Sequence, residues 1–287
     1  MGRVAVVGAG PAGCSAAIYL KRAGCEPLLF EKERIGGLAL NAHLVEDYLG
    51  FPGGIEGRAF CALIEQQLAR HEIGVVREEV IEIRRSQSGF EIETPIASHM
   101  ADAVILATGT MPKRLEMPGL PCHYELKELP AEGGRRSVAV IGGGEAALDY
   151  ALTLSSRGYR VLIIHRGKVL RANRALVEKA KRSDAIEVWT ECEVLGAQPH
   201  GDEYLLDCTK GRAAVHYILC AVGRVPALPR LDIPPEELTA DPQGRTRVPG
   251  LFLAGDLRLG SLRHIATACG DGIAAAVRAL EYLEGSG

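Results

Sequence analysis

The stretch RVAVVGAGPAGCSAAIYLKRAGCEPLLFEKE, Arg3 to Glu33, decides the fold. A short apolar strand, Val4 to Val7, runs into Gly8-x-Gly10-x-x-Gly13, an Ala-rich helix follows, and a second strand ends at Phe30-Glu31. Each glycine has a mechanical reason: Gly8 for a tight turn, Gly10 for close approach of backbone to a pyrophosphate, Gly13 for packing helix against strand. The helix N-terminus offers unpaired N–H groups and the positive end of its dipole to phosphate. An acid about eighteen residues beyond the last glycine is placed to accept a hydrogen bond from a ribose hydroxyl. The unit therefore reads as a dinucleotide site made by Gly8, Gly10, Pro11, Ala12, Gly13, Phe30, Glu31 and Lys32.

The pattern recurs in SVAVIGGGEAALDYALTLSSRGYRVLIIHRGKVLR, Ser137 to Arg171. Strand, Gly142-x-Gly144-x-x-Ala147, helix and strand return in the same order, and the second strand now ends in His165-Arg166 where the first ended in Phe30-Glu31. A carboxylate at that place repels a ribose 2′-phosphate, whereas Arg166, with Lys168 and Arg171 beyond it, binds one through charge-assisted hydrogen bonds. NADPH is thus expected over NADH. The expected contacts here are Gly142, Gly143, Gly144, Glu145, Ala146, His165, Arg166 and Arg171. Later pieces repeat as well: FEIET leads to AVILATGTMP in the first unit, and YLLDC leads to YILCAVGRVP in the second. By position, Ala107, Thr108 and Gly109 then correspond to Ala221, Val222 and Gly223. The fold class is α/β, with two Rossmann-like, doubly wound nucleotide-binding domains, each carrying an inserted antiparallel hairpin.

A chain of 287 residues, 47% hydrophobic and 24% charged, is long enough for two such cores. No apolar run reaches the length of a membrane span, and Met1-Gly-Arg leads directly into the first strand. The expectation is a cytoplasmic protein without membrane or nucleic-acid partners. Eight cysteines at 14, 25, 61, 122, 192, 208, 220 and 269 form no CxxC and no cluster at metal-ligand spacing. Most are expected to be reduced thiols packed as small hydrophobes, and no metal site is expected. Net charge is −3, but between Arg135 and Arg182 eleven Lys/Arg face only Glu145, Asp149 and Glu178. Such a segment suits an anionic ligand or an acidic partner.

A final strand, Leu251 to Ala254, leads through Gly255-Asp256 into a long Ala-rich helix. It fits as the last parallel strand of the first sheet, with Asp256 at the carboxyl ends where ligands bind. The first domain is then discontinuous, residues 1–114 and 245–287, with residues 115–244 forming the second. The crossings are expected near Pro112 to Pro118 and near Asp241 to Arg247.

GAGPAG, GGLALNAHLVEDYLGFPGGIEG (36–57), ATG, GGGEAALDYAL, HRGKVLR and LFLAGDLRLGSLRHIATACGDG (251–272), in this order, resemble the low-molecular-weight thioredoxin reductase family over nearly the whole chain. The resemblance implies FAD in the first domain, NADPH in the second, and a homodimer. It implies that Gly36, Gly37, Leu38, Asp47, Val80 and Thr108 line the flavin, together with Gly255, Asp256, Arg263, His264 and Ile265.

Thioredoxin reductases carry a CxxC about fourteen residues before the second glycine loop; here that window reads Glu125-Leu126-Lys127-Glu128. Cys122 alone cannot replace it, because disulfide exchange needs an attacking and a resolving thiol. Cys269 is the first partner to consider. The central stretch is similar instead to the ferredoxin–NADP reductases of the thioredoxin reductase type, which lack the disulfide. Two departures stand out: those enzymes continue past the last helix, and the family's HRRxxxR is here His165-Arg166-Gly167-x-x-x-Arg171. The expected activity is FAD-dependent NAD(P)H oxidation with electrons passed to a ferredoxin-like carrier, without a catalytic side chain. The alternatives are a disulfide reductase with a non-standard cysteine pair, a flavoprotein reduced by another donor, and a regulatory nucleotide-binding protein.

Overall fold

The computed structural model describes residues 2–115, 121–260 and 262–285. The chain divides into two compact units, one of Met1–Leu40, Leu44–Met111 and Pro226–Gly287, the other of Asn41–His43 and Pro112–Val225.

In the first unit five parallel strands lie in the order Leu251–Leu253, Ala103–Leu106, Val4–Val7, Pro27–Phe30, Val75–Val76. Val4–Val7 and Ala103–Leu106 are buried at every position, which is why both are unbroken apolar runs: helices or sheet cover both faces of a central parallel strand. The Pro11–Arg22 helix packs against the Ile265–Leu283 helix through small residues, Ala12, Ala16, Ala268, Ala275 and Ala279 among them. A Cβ at Gly272 would strike the main chain of Ala12, so only glycine permits this approach.

The second unit repeats the plan, with parallel strands in the order Ile186–Trp189, Arg160–Ile164, Ser137–Ile141, Tyr217–Cys220, Cys122–His123. The edge place taken by Leu251–Leu253 in the first unit is taken here by Cys122–His123.

Two expectations need correction. Each insert is a three-stranded antiparallel meander rather than a hairpin: Glu82–Ser86, Gly89–Glu93 and Ser98–Ala101 in the first unit, Val194–His200, Glu203–Cys208 and Gly211–Val215 in the second. The chain also crosses back at Val225/Pro226, earlier than residues 241–247. The cause is tertiary. Arg230–Leu231 lies parallel to Glu82 and Ile83 and extends the first meander, while Ile233 and Val248 join Ile83 and Phe90 in its core. The other crossing falls at Met111/Pro112, and Glu116 to Pro118 of the expected linker lie outside the described residues.

Candidate functional site

In the first unit, the main chain of the first strand feeds directly into the glycine loop. The Gly8 N–H donates to Phe30 O at 2.9 Å, and Gly8 takes φ +102°, where a Cβ would also press on the Ala107 carbonyl. A Cβ at Gly13 would strike the Gly8 carbonyl oxygen, so Gly13 sets how closely helix and loop meet. Gly10 is different: among the described residues nothing outside its own stretch of chain lies within 4 Å of where its Cβ would stand, and it begins the Pro11–Arg22 helix with no side-chain cap. Open space before uncapped helix amides is a cradle for an anion.

Glu31 is buried, and its carboxylate closes the loop: the Ala9 and Glu33 N–H groups each donate to one of its oxygens at 2.8 Å. Each oxygen keeps a lone pair, so a ribose hydroxyl fits beside these bonds. Gly36 returns to the loop and donates its N–H to Ala9 O at 2.8 Å, and Gly37 stands against the Gly10 Cα. Leu38 is half-buried beside them. Lys32 is exposed and paired with Glu79. Phe30 and Val80 are enclosed in the core, Phe30 edge-on to His99, which leaves chiefly their main chain for a ligand.

The Ala103–Leu106 strand is followed by Ala107, Thr108 and Gly109; Gly109 has φ +65° with, among the described residues, nothing within 4 Å of its Cβ position. The Thr108 hydroxyl is buried and has no hydrogen-bond partner among the described residues. A buried hydroxyl left unbonded is costly, and a bound polar ligand satisfies it. Together with the Gly10 cradle, this fits the first unit to a dinucleotide such as FAD.

Asp47 and His264 come together, with Oδ2 and Nδ1 3.0 Å apart. His264 precedes Ile265 at the start of the long helix and donates its N–H to Thr267 Oγ1, while Arg263 is exposed beside it. Asp271 was missed by sequence reasoning. Its buried carboxylate accepts the Gly255 N–H at 2.7 Å and pairs with Arg258, which fixes the Gly255-Asp256 turn. The only local signal was an acid between Gly270 and Gly272 on an otherwise apolar helix face.

The second unit repeats the loop with different side chains. Gly142 N–H donates to Ile164 O at 3.0 Å, and Arg171 N–H donates to Gly143 O at 2.6 Å, as Gly36 does to Ala9 in the first unit. Gly144 begins the Glu145–Ser156 helix without a side-chain cap, and its nearest Cβ neighbour is the Arg171 carbonyl at 3.9 Å. Gly223 again has empty space, following Ala221 and Val222. Glu145 and Ala146 are exposed on the first turn, and Glu145 accepts the Asn173 N–H. The strand register shows that His165, not Arg166, stands in the place of Glu31. Its ring packs over Gly143, with Nε2 3.1 Å from Val169 O, so His165 shapes the loop while Arg166 and Arg171 extend into solvent.

In the window before the second loop, Glu125 is held by three partners: Arg224 at 3.1 Å, the Tyr150 hydroxyl at 3.1 Å and Asn41 Nδ2 at 3.0 Å. Burial, and then the Glu125 charge, push the Tyr150 phenol well above its usual range. Cys122 lies with its sulfur 2.7 Å from that of Cys220, a partner the sequence did not suggest. Burial raises the Cys269 thiol, in the first unit, against the lowering effect of Ser15 and Tyr48, and Tyr48 packs edge-on to Phe60 at 5.0 Å.

Known proteins bear out this architecture. Residues 2–272 match the model of the family described as pyridine nucleotide-disulphide oxidoreductase. The chain is 33% identical to the thioredoxin reductase of Treponema pallidum over 98% of its own length and 97% of the relative's. It is 32% identical to a mitochondrial thioredoxin reductase of Arabidopsis thaliana, covering 98% of this chain and 84% of that one. Among solved structures, thioredoxin reductase from Lactococcus lactis superposes with a TM-score of 0.87 at 26% identity, covering 99% of this chain and all of that one. The T. acidophilum enzyme does so with 0.85 at 29%, over 99% and 98% of the two chains. Members of the thioredoxin reductase family use FAD and NADPH. The chain belongs to the pyridine nucleotide-disulphide oxidoreductase family and is an FAD-dependent NAD(P)H oxidoreductase of thioredoxin reductase-like fold.

Proposed function

We propose that the first unit holds FAD, the second holds NADPH, and electrons pass from the flavin to a separate carrier of ferredoxin type rather than through a CxxC disulfide. FAD, when bound, supplies an acceptor for hydride and a donor of electrons one or two at a time. The chain's own residues bind and orient: Gly10 and the uncapped amides of the Pro11–Arg22 helix take the pyrophosphate, Glu31 a ribose, and Thr108 a polar ligand atom. Gly144, Arg166 and Arg171 take the second nucleotide, with Gly223 leaving room for it. The observation that carries the reading is Glu125, which cannot be oxidised and is tied to Arg224 and Tyr150 where the family places its redox disulfide. The basic segment from Arg135 to Arg182 supports an acidic partner. We propose further that the protein is a homodimer, as the family resemblance implies, and acts in the cytoplasm.

A second reading, reduction of a thioredoxin-like disulfide, is favoured by the closeness of Cys122 and Cys220. An acceptor screen separates the two. With NADPH as donor, ferredoxin reduction by both the wild type and Cys122→Ser supports the first. Turnover with thioredoxin alone, lost in Cys122→Ser, replaces it with the second.

A further inference from the structure

Cys122 and Cys220 are 98 positions apart in the chain, and the sheet of the second unit brings them together. Cys122 lies opposite Ile218 on the neighbouring parallel strand. Alternate residues of a strand share a face, so Cys220, two places beyond Ile218, points to the same side as Cys122. The sulfurs are 2.7 Å apart, and the Cys220 thiol donates to Cys122. The Cys122 thiol is also lowered by Tyr124, two places along the chain. The Tyr124 oxygen accepts the Leu115 N–H at 3.1 Å, which holds the hydroxyl in place. A hydrogen bond donated to a sulfur favours its thiolate. Cys122 is lowered from the ordinary thiol range, chiefly by the Cys220 bond and against the effect of burial, while that bond and burial raise Cys220.

Exposure differs between the two residues. Cys220 is 2% exposed, whereas Cys122 is half-buried. A more exposed thiolate backed by an enclosed thiol is the arrangement of attacking and resolving sulfurs. The same core holds a contrasting pair: Cys208 and Cys192 are both buried, and burial, with the neighbouring Cys192, pushes Cys208 up to about 12.

We propose that Cys122 and Cys220 form a thiol–disulfide exchange site for small disulfides, with Cys122 attacking and Cys220 resolving. The Cys122 thiolate attacks one sulfur of R–S–S–R; a Cys122–S–S–R bond forms, the R–S–S–R bond breaks, and RS⁻ leaves and is protonated by solvent. Cys220 then gives up its proton and attacks Cys122 Sγ. The Cys122–Cys220 bond forms, and the second RS⁻ leaves with a proton. Two protein thiols are oxidised and one disulfide is reduced to two thiols. The exchange requires neither nucleotide nor flavin turnover, so it can be tested without them; it shares its cysteine pair with the second reading of the acceptor.

The test uses the full chain, reduced, freed of reductant, and incubated with bis(2-hydroxyethyl) disulfide in the absence of NADPH. The wild type should lose two of its eight titratable thiols. It should retain no adduct and yield a peptide joining Cys122 to Cys220. Cys220→Ala should trap a stable hydroxyethylthio adduct on Cys122, Cys122→Ser should lose no thiols, and Cys192→Ser should still lose two. The wild-type peptide map decides the matter even where a core variant folds poorly. Eight thiols remaining in the wild type, a lasting adduct on Cys122, or a disulfide between Cys192 and Cys208 would overturn the proposal.

Discussion

Glu125 and Arg224 face one another inside the second unit at 3.1 Å, with side chains only 15% and 14% exposed. Removing one member leaves the other charge poorly solvated, which is more damaging than losing a surface pair. Glu125→Ala should lower stability by about 2 kcal/mol in urea unfolding. The Glu125→Ala/Arg224→Ala double variant should lose less than the sum of the singles, and strict additivity would show the pair to be uncoupled.

Gly10 and Gly13 separate ligand binding from folding. Gly13→Ala forces a Cβ onto the Gly8 carbonyl and should cost at least about 2 kcal/mol or prevent folding. Gly10→Ala meets open space and should melt within a few degrees of wild type, yet lose at least about tenfold in FAD affinity, roughly 1.4 kcal/mol. Flavin absorbance after reconstitution and a thermal melt on the same sample measure both effects.

The arginines of the second loop set nucleotide preference. Arg166→Ala should cut the NADPH/NADH ratio of flavin reduction rates by about tenfold, about 1.4 kcal/mol, the worth of an exposed charge-assisted contact. Arg171→Ala should do so with little effect on stability, because its tie to Gly143 is made by the main chain. An unchanged ratio in both variants would remove the phosphate role.

Asp271→Asn should disturb the Gly255-Asp256 turn from within the helix. The loss of a buried pair with Arg258 predicts a drop of about 3 kcal/mol, with reduced FAD content after purification. Asn retains an acceptor for the Gly255 N–H, so Asp271→Ala should be worse.

Thiol reactivity should follow the local donors. A lowered thiol keeps more of its thiolate as pH falls, so Cys122 should be alkylated by iodoacetamide first and should still react below the usual thiol range of about 8.5. Burial pushes Cys61 up to about 11, and it should stay unmodified in the native protein. Mapping of modified peptides across a pH series checks both, and equal labelling of Cys122 and Cys61 would contradict the assignment.

What was legible in the sequence was local. A strand, a glycine loop and a helix are specified within about thirty residues, so both nucleotide loops and the Glu31 turn could be read directly. The last strand was legible because its Gly255-Asp256 sequel is distinctive. What depended on distant contact was not. Arg230–Leu231 joins the first unit because it pairs with Glu82–Ser86, about 150 positions away. The one-place offset between Glu31 and His165 comes from strand register, and Cys220 becomes the neighbour of Cys122 only when two strands pair. Asp271 hid in a helix whose small residues advertise packing rather than charge.

The two edge strands reach their sheets from opposite directions along the chain, and this sets an order of events at the ribosome. Cys122–His123 precedes the rest of its sheet, so the second unit is complete once Val225 has emerged. The first unit, begun earlier, must wait for Leu251–Leu253 and the helix to Leu283. Until then Ala103–Leu106, fully apolar, presents an unpaired edge, which makes a nascent chain stalled between these points the species most prone to aggregate and to need a chaperone.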